Sequence, residues 1–202
     1  MKNLLILIVS ILSFTATAQT AKEIEMVTLV NQVRTNPKSF ISVVEAYIKT
    51  LEATNTDPFG GIKIKGATVT KKTNNGKGQV NPMIAEAKGL IAFLKTQKPV
   101  KALTTSPALY TYAKAQSVYM DSIKTLTHAG PNGETASKRF TKGYTLCGEN
   151  CAKAETASEA LVILLIDMGN TPKGHRTNIF LKEFTQIAIG NTNQYWAQDF
   201  GY

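Results

Sequence analysis

Residues 160–168 are apolar on nearly every side of a helix, with Asp167 the one charge near their end. Thr156-x-x-Glu159 before them is a capping box, and Gly169-Asn170 after them is a stop signal. A helix with no polar face has to be covered by other elements. The sequence therefore predicts a helix over 160–168 buried in a core. At 202 residues the chain fits one domain large enough to cover it.

Upstream of this helix lies Cys147-Gly148-Glu149-Asn150-Cys151, with strand-like Tyr144-Thr145-Leu146 before it. The stretch reads as a strand-to-helix turn that holds Glu149 by its backbone at both ends. The only two histidines stand next to or near glycines, in His128-Ala129-Gly130 and Gly174-His175-Arg176. Glu149, His128 and His175 are candidates for one shared cleft. The competing reading is a surface turn and two unrelated histidines. Cys147 and Cys151 are the only cysteines. Across a turn they would come within the roughly 4.4–6.8 Å a disulfide requires. Their spacing is not a common zinc pattern, and no second cysteine pair exists.

The N-terminus reads as a targeting segment. Lys2 precedes an apolar run from Leu4 to Phe14, and Ala16-Thr17-Ala18 has the small residues of a signal peptidase site. The expected division is a signal peptide over 1–18 and a single domain over 19–202, secreted to the periplasm or outside the cell, where a disulfide is permitted.

Helical periodicity dominates the first half. Thr20-x-x-Glu23 caps one helix that ends at Asn36-Pro37, and that pair opens a second. Residues 55–80 change to lysine, threonine, asparagine and glycine, and read as a basic insertion. Asn81-Pro82 and Ser106-Pro107 open two more helices, the latter reaching about Ile123, and a short helix is expected around 137–140. The C-terminus reads as a hairpin, 184–190 and 194–200 around Asn191-Thr192-Asn193, with Trp196 in the core.

Six segments in this order resemble the CAP superfamily, the cysteine-rich secretory, antigen 5 and pathogenesis-related 1 (SCP) group, in its bacterial secreted branch. They are Leu29-Val30-Asn31-Gln32-Val33-Arg34, His128-Ala129-Gly130, Gly148-Glu149-Asn150, Gly174-His175-Arg176-Thr177-Asn178-Ile179, Ile187-Ala188-Ile189-Gly190 and Tyr195-Trp196-Ala197-Gln198-Asp199-Phe200. The resemblance implies an α+β fold, an α-β-α sandwich with a small antiparallel sheet between helical layers. It also implies a cleft lined by two histidines and two acids. His128 resembles the first histidine and Glu149 the first glutamate. Asp167 stands as the candidate for the second acid, and Glu183 falls where many members have the second histidine; either of the two could complete the cleft. His175 belongs to the bacterial Gly-His-Arg pattern.

The net charge of +9 allows lipid headgroups, polysaccharide or another anionic ligand as partner, whereas no nucleic-acid motif is present. Two neutral imidazoles suit a divalent metal such as zinc, with His128 and His175 as ligands. The resemblance implies a binding module for a small ligand, lipid or metal ion. The alternatives are a metal-dependent hydrolase with Glu149 as general base, and a structural or adhesive surface protein. No serine or cysteine nucleophile motif accompanies the cleft. If the leader is cleaved after Ala18, mass spectrometry of the exported protein will find Gln19, or its cyclised form, at the N-terminus; a product that keeps Met1 overturns the expectation.

Overall fold

The computed structural model describes residues 18–54, 82–140 and 143–202. The predicted leader, except Ala18, and the basic insertion lie outside the described residues.

Thr20 caps the first helix, α1 (Ala21–Thr35), through the capping box read from the sequence. Each such cap is worth about 1 kcal/mol. A 3₁₀ turn (Pro37–Phe40) leads into α2 (Ile41–Thr54). Proline stands at its first position as expected, but the Asn36 side chain makes no capping bond. Helix α3 (Pro82–Thr96) follows the insertion. A two-residue strand, β1 (Thr104–Thr105), precedes α4 (Pro107–Ile123), which Ser106 caps and Lys124 ends at φ 54°. After α5 (Ala136–Arg139) come β2 (Cys147–Lys153), α6 (Ala157–Ile166), α7 (Gly174–Phe180), β3 (Gln186–Thr192) and β4 (Tyr195–Gly201).

The strands form one sheet in the order β1-β3-β4-β2. β3, β4 and β2 are antiparallel, as expected, while β1 adds a parallel edge that periodicity does not reveal. Two residues are too short to show any alternation. The hairpin closes through Asn193-Gln194, with Asn193 at φ 52°, two residues later than the sequence suggests. A two-residue hairpin needs such a left-handed position, and asparagine tolerates it.

Side-chain alternation splits the sheet into two faces. Ile187, Ile189, Trp196 and Phe200 face the larger core, built with α1, α2, α3 and α6. Ala188, Tyr195, Ala197 and Cys151 face the smaller core, built on α4. The result is helix on sheet on helix. In α6 every residue from Ala160 to Ile166 is buried, so the all-round apolar helix is covered as its sequence requires. Trp196 is fully buried, and its Nε1 donates to the Ala154 carbonyl at 2.9 Å. The α4 backbone lies so close to β3 at Gly190 that a Cβ there would stand 2.1 Å from the Ala113 carbonyl oxygen. Glycine is what permits that contact.

One buried charge ties the layers together. Glu23 of α1 is 0% exposed. It accepts from the Thr20 N–H at 2.7 Å, the Asn191 N–H at 2.8 Å, Lys114 Nζ at 3.0 Å and the Tyr110 hydroxyl at 3.0 Å. Burial alone would raise its titration; the two backbone bonds and Lys114 outweigh that, and the carboxyl titrates below its ordinary value. Burial, with the bond to Glu23, pushes the Tyr110 phenol up to about 12. A carboxyl lowered by folding contributes stability that is complete above the ordinary glutamate value, about 4.3. That contribution is lost as pH falls through the lower folded value. Glu23→Gln is expected to cost about 2 kcal/mol in urea unfolding at neutral pH. The variant should also lose less stability than wild type on acidification, which parallel melts at decreasing pH will show.

Candidate functional site

The site straddles β2, which is an edge of the sheet. Successive side chains of a strand point to opposite faces. Glu149 therefore reaches one side of the edge and Asn150 the other, and each fixes one histidine.

On the Glu149 side, the loop after α4 carries His128. Gln116 of α4 donates to the Thr127 carbonyl at 2.6 Å and the Ala129 carbonyl at 3.3 Å. Arg139 of α5 donates to the His128 carbonyl at 3.0 Å. The loop is thus held on both sides of the histidine. The His128 ring meets Glu149 through Nδ1 and Oε1 at 2.8 Å, while Glu149 Oε2 accepts from Arg139 Nη2 at 2.5 Å. Both carboxylate oxygens are engaged.

On the Asn150 side, α7 carries His175. Asn150 is fully buried and donates to the His175 carbonyl at 3.2 Å and to Gln198 Oε1 at 3.0 Å. Its own Oδ1 accepts from Asn178 of α7 at 2.9 Å. Gly148 permits this approach, since a Cβ there would meet Asn178 and Phe184 at 3.2 and 3.0 Å.

Asp167 ends α6 at φ 54°, ahead of the Gly169-Asn170 stop expected from the sequence. Its Oδ2 accepts from the His175 N–H at 2.8 Å, and its Oδ1 lies 2.9 Å from His175 Nδ1. Burial works to raise the Asp167 titration; the bonds from His175 and Asn170 outweigh it, and the carboxyl is held below its usual range. Arg176 donates to the Leu165 carbonyl at 2.6 Å and lies over the Phe93 ring at 4.8 Å, so the neighbour of His175 closes the end of α6.

The two imidazoles stand with centroids 6.2 Å apart. Each has Nδ1 on a buried carboxylate, Glu149 for His128 and Asp167 for His175. The His128 side chain is 54% exposed and that of His175 23%, so the pair is open to a ligand. Glu183, the other candidate acid, is exposed and lies 3.8 Å from Lys182, outside this group.

The cysteines require a correction. Residues 147–151 are not a turn but the first part of a continuous strand, and Glu149 sits in its middle. Four strand residues separate Cα atoms by about 13 Å, beyond the roughly 4.4–6.8 Å of a disulfide. Both cysteines are free. Burial pushes the Cys151 thiol well up, and Glu149 and Asp199 add to the effect; burial, with Asp199, also raises Cys147. Cys151 Sγ lies 3.7 Å from His128 Nδ1, so it packs behind the ring.

Two residues of the site escape sequence reasoning. Arg139 sits in a four-residue helix, where nothing in the spacing announces its partner Glu149. Asp199 pairs across the ladder with Glu149 and is fully buried. Asp199 stands in the sixth family segment and is the single acid of an otherwise uncharged final strand, but neither signal names Glu149 as its neighbour.

The sequence matches the Cysteine-rich secretory protein family, CAP, over residues 27–200. The chain belongs to that family. None of the curated proteins compared with it matches. Similar solved structures include an extracellular protein containing an SCP domain from Bacillus anthracis strain Ames. It is 21% identical, with 62% of this chain and 45% of that chain covered and a TM-score of 0.43. An outer surface protein from Borrelia burgdorferi is 17% identical over 58% of this chain and 89% of that one, with a TM-score of 0.44. A cysteine-rich secretory protein from Staphylococcus aureus Mu50 is 16% identical over 65% of this chain and 42% of that one, with a TM-score of 0.38. The chain thus spans less than half of the Bacillus and Staphylococcus proteins. Likeness at this level adds nothing to the family assignment, which rests on the sequence match.

Because the strand keeps the sulfurs apart, titration of the denatured, unreduced protein with a thiol reagent should find both cysteines reactive. A protein without reactive thiol would restore the disulfide.

Proposed function

We propose that this is an exported binding protein whose His128–His175 cleft holds a small ligand, and that a divalent metal ion such as zinc is the ligand it fits best. One observation carries the reading: two imidazoles 6.2 Å apart, each with Nδ1 on a buried carboxylate. An ionised carboxylate can only accept a hydrogen bond. Nδ1 of each neutral ring therefore carries the hydrogen, and Nε2 is left with its lone pair for a ligand. Carboxylate behind histidine is the arrangement that orients metal-binding imidazoles and raises their basicity.

His128 and His175 would hold the ion, with Glu149 and Asp167 as their supports. A bound divalent ion would supply a Lewis acid for an anionic or carbonyl oxygen of a further ligand. Glu149 has one oxygen on His128 and the other on Arg139. A carboxylate so engaged serves to orient the ring, which favours binding over hydrolysis with Glu149 as general base. Export rests on Lys2, the apolar run and Ala16-Thr17-Ala18. No helix among the described residues is long and apolar enough to cross a membrane.

Calorimetry with zinc on the mature protein tests the reading. His128→Ala and His175→Ala should each remove most of the affinity, and the double variant should add little, because the two rings act as one unit. Binding should weaken as pH falls, since a protonated imidazole cannot ligate. Single variants that bind zinc like the wild type would sink the proposal.

A further inference from the structure

Asp199 lies on β4 with no exposure, and neither of its carboxyl oxygens has a hydrogen-bond partner of the ordinary kind. An orphaned, ionised carboxylate in such a place is strongly disfavoured, because burial strips its water without supplying a partner. Its neighbour directly across the β2–β4 ladder is Glu149, another buried carboxyl on the same face of the sheet. Two adjacent carboxyls in a buried site do not both ionise. The surroundings decide which one keeps the proton. Glu149 has the Arg139 guanidinium on one oxygen and the His128 ring on the other. Asp199 bonds to neither. The Arg139 charge also reaches Asp199 through space and favours its ionised form, but the guanidinium is bonded to Glu149. The remaining titratable neighbours, Cys147 and Cys151 of β2, supply no positive charge.

We propose that Asp199 is a positioning residue of the cleft: a neutral carboxylic acid that donates its hydrogen to Glu149 and so fixes the carboxylate that aims His128. Burial, followed by the nearby Glu149 charge, outweighs the opposing Arg139 charge and pushes the Asp199 carboxyl well up, in keeping with this arrangement. Glu149 then accepts three hydrogen bonds, from Asp199, Arg139 and the imidazole. The chain of contacts runs from the middle of the sheet to the cleft through β4, β2 and the loop after α4. The positioning role rests on the proposed cleft; the protonation of Asp199 does not.

The test uses the mature, zinc-free protein at neutral pH. Its infrared spectrum should contain the carbonyl stretch of a protonated carboxylic acid, shifted in heavy water and absent from Asp199→Asn. A wild-type spectrum without that band overturns the proposal. The positioning role is read in parallel from nitrogen chemical shifts of the His128 ring. The Nδ1–H tautomer should prevail in wild type and in Asp199→Asn, whose amide N–H replaces the acid hydrogen. In Asp199→Leu, which has no donor, the two tautomers should mix. In zinc calorimetry Asp199→Asn should keep its affinity while Asp199→Leu falls about tenfold or more. Unchanged ring shifts in Asp199→Leu would overturn the positioning role. If Asp199→Leu does not fold, Asp199→Val, also without a donor, takes its place with the same expected mixing of tautomers, and loss of the Nδ1–H preference in Asp199→Asn overturns the role. Should the wild type itself bind no zinc, the metal reading fails alone, because the band and the ring shifts need no metal.

Discussion

A helix that is apolar on all sides has no stable place at a surface, and α6 sets the terms for the rest of this chain. Helices α1, α2 and α3, together with α7 and β2, lie against it. Covering it demands a layer of helices on one face of the sheet, and the sheet's other face is then covered by α4. The end of α6 must also be closed, because its last carbonyls have no partner within the helix. Arg176 supplies donors to the Leu165 and Ile166 carbonyls, and the adjacent His175 is carried to the same place. Burial of one helix thereby delivers one half of the cleft.

The other half comes from strand alternation. Gly148-Glu149-Asn150 lies on an edge strand, so its acid and its amide reach opposite sides of the sheet. Glu149 takes the ring that arrives from α4, and Asn150 takes the backbone of the ring that arrives from α7. The loop after α4 and helix α7 thus both touch one short motif. Arg139 balances the Glu149 charge in a place nearly closed to water. A lone ionised carboxylate there would be costly, and pairing is what makes it tenable.

Much of this was legible before any coordinates. Capping boxes at Thr20 and Thr156, prolines at helix starts and the apolar stripes define most of the helices, because such signals act within one turn. The histidine pair, Glu149 and Asp167 could be named from residue types and family order. The conformation of 147–151 could not. Its glycine and cysteines suggest a turn, yet pairing with β4 from Cys147↔Gly201 to Lys153↔Tyr195 makes it a strand. That is a non-local override of local preference. Arg139 and Asp199 stayed hidden for the same reason, since each acquires its meaning from a partner ten or more residues away.

Asp167 does three things at once. It ends α6 in a left-handed conformation that glycine or asparagine would adopt with less strain. It caps the start of α7 through the His175 N–H, and it holds the His175 ring. Backbone comfort and ring orientation therefore pull in different directions at this position. Glycine would ease the backbone but leave the His175 N–H and the His175 ring without their acceptor, so the fold and the cleft both hold the acid. A descendant of this chain that has changed residue 167 would relax one backbone angle and lose the aim of one ring, a trade familiar where strain sits beside function.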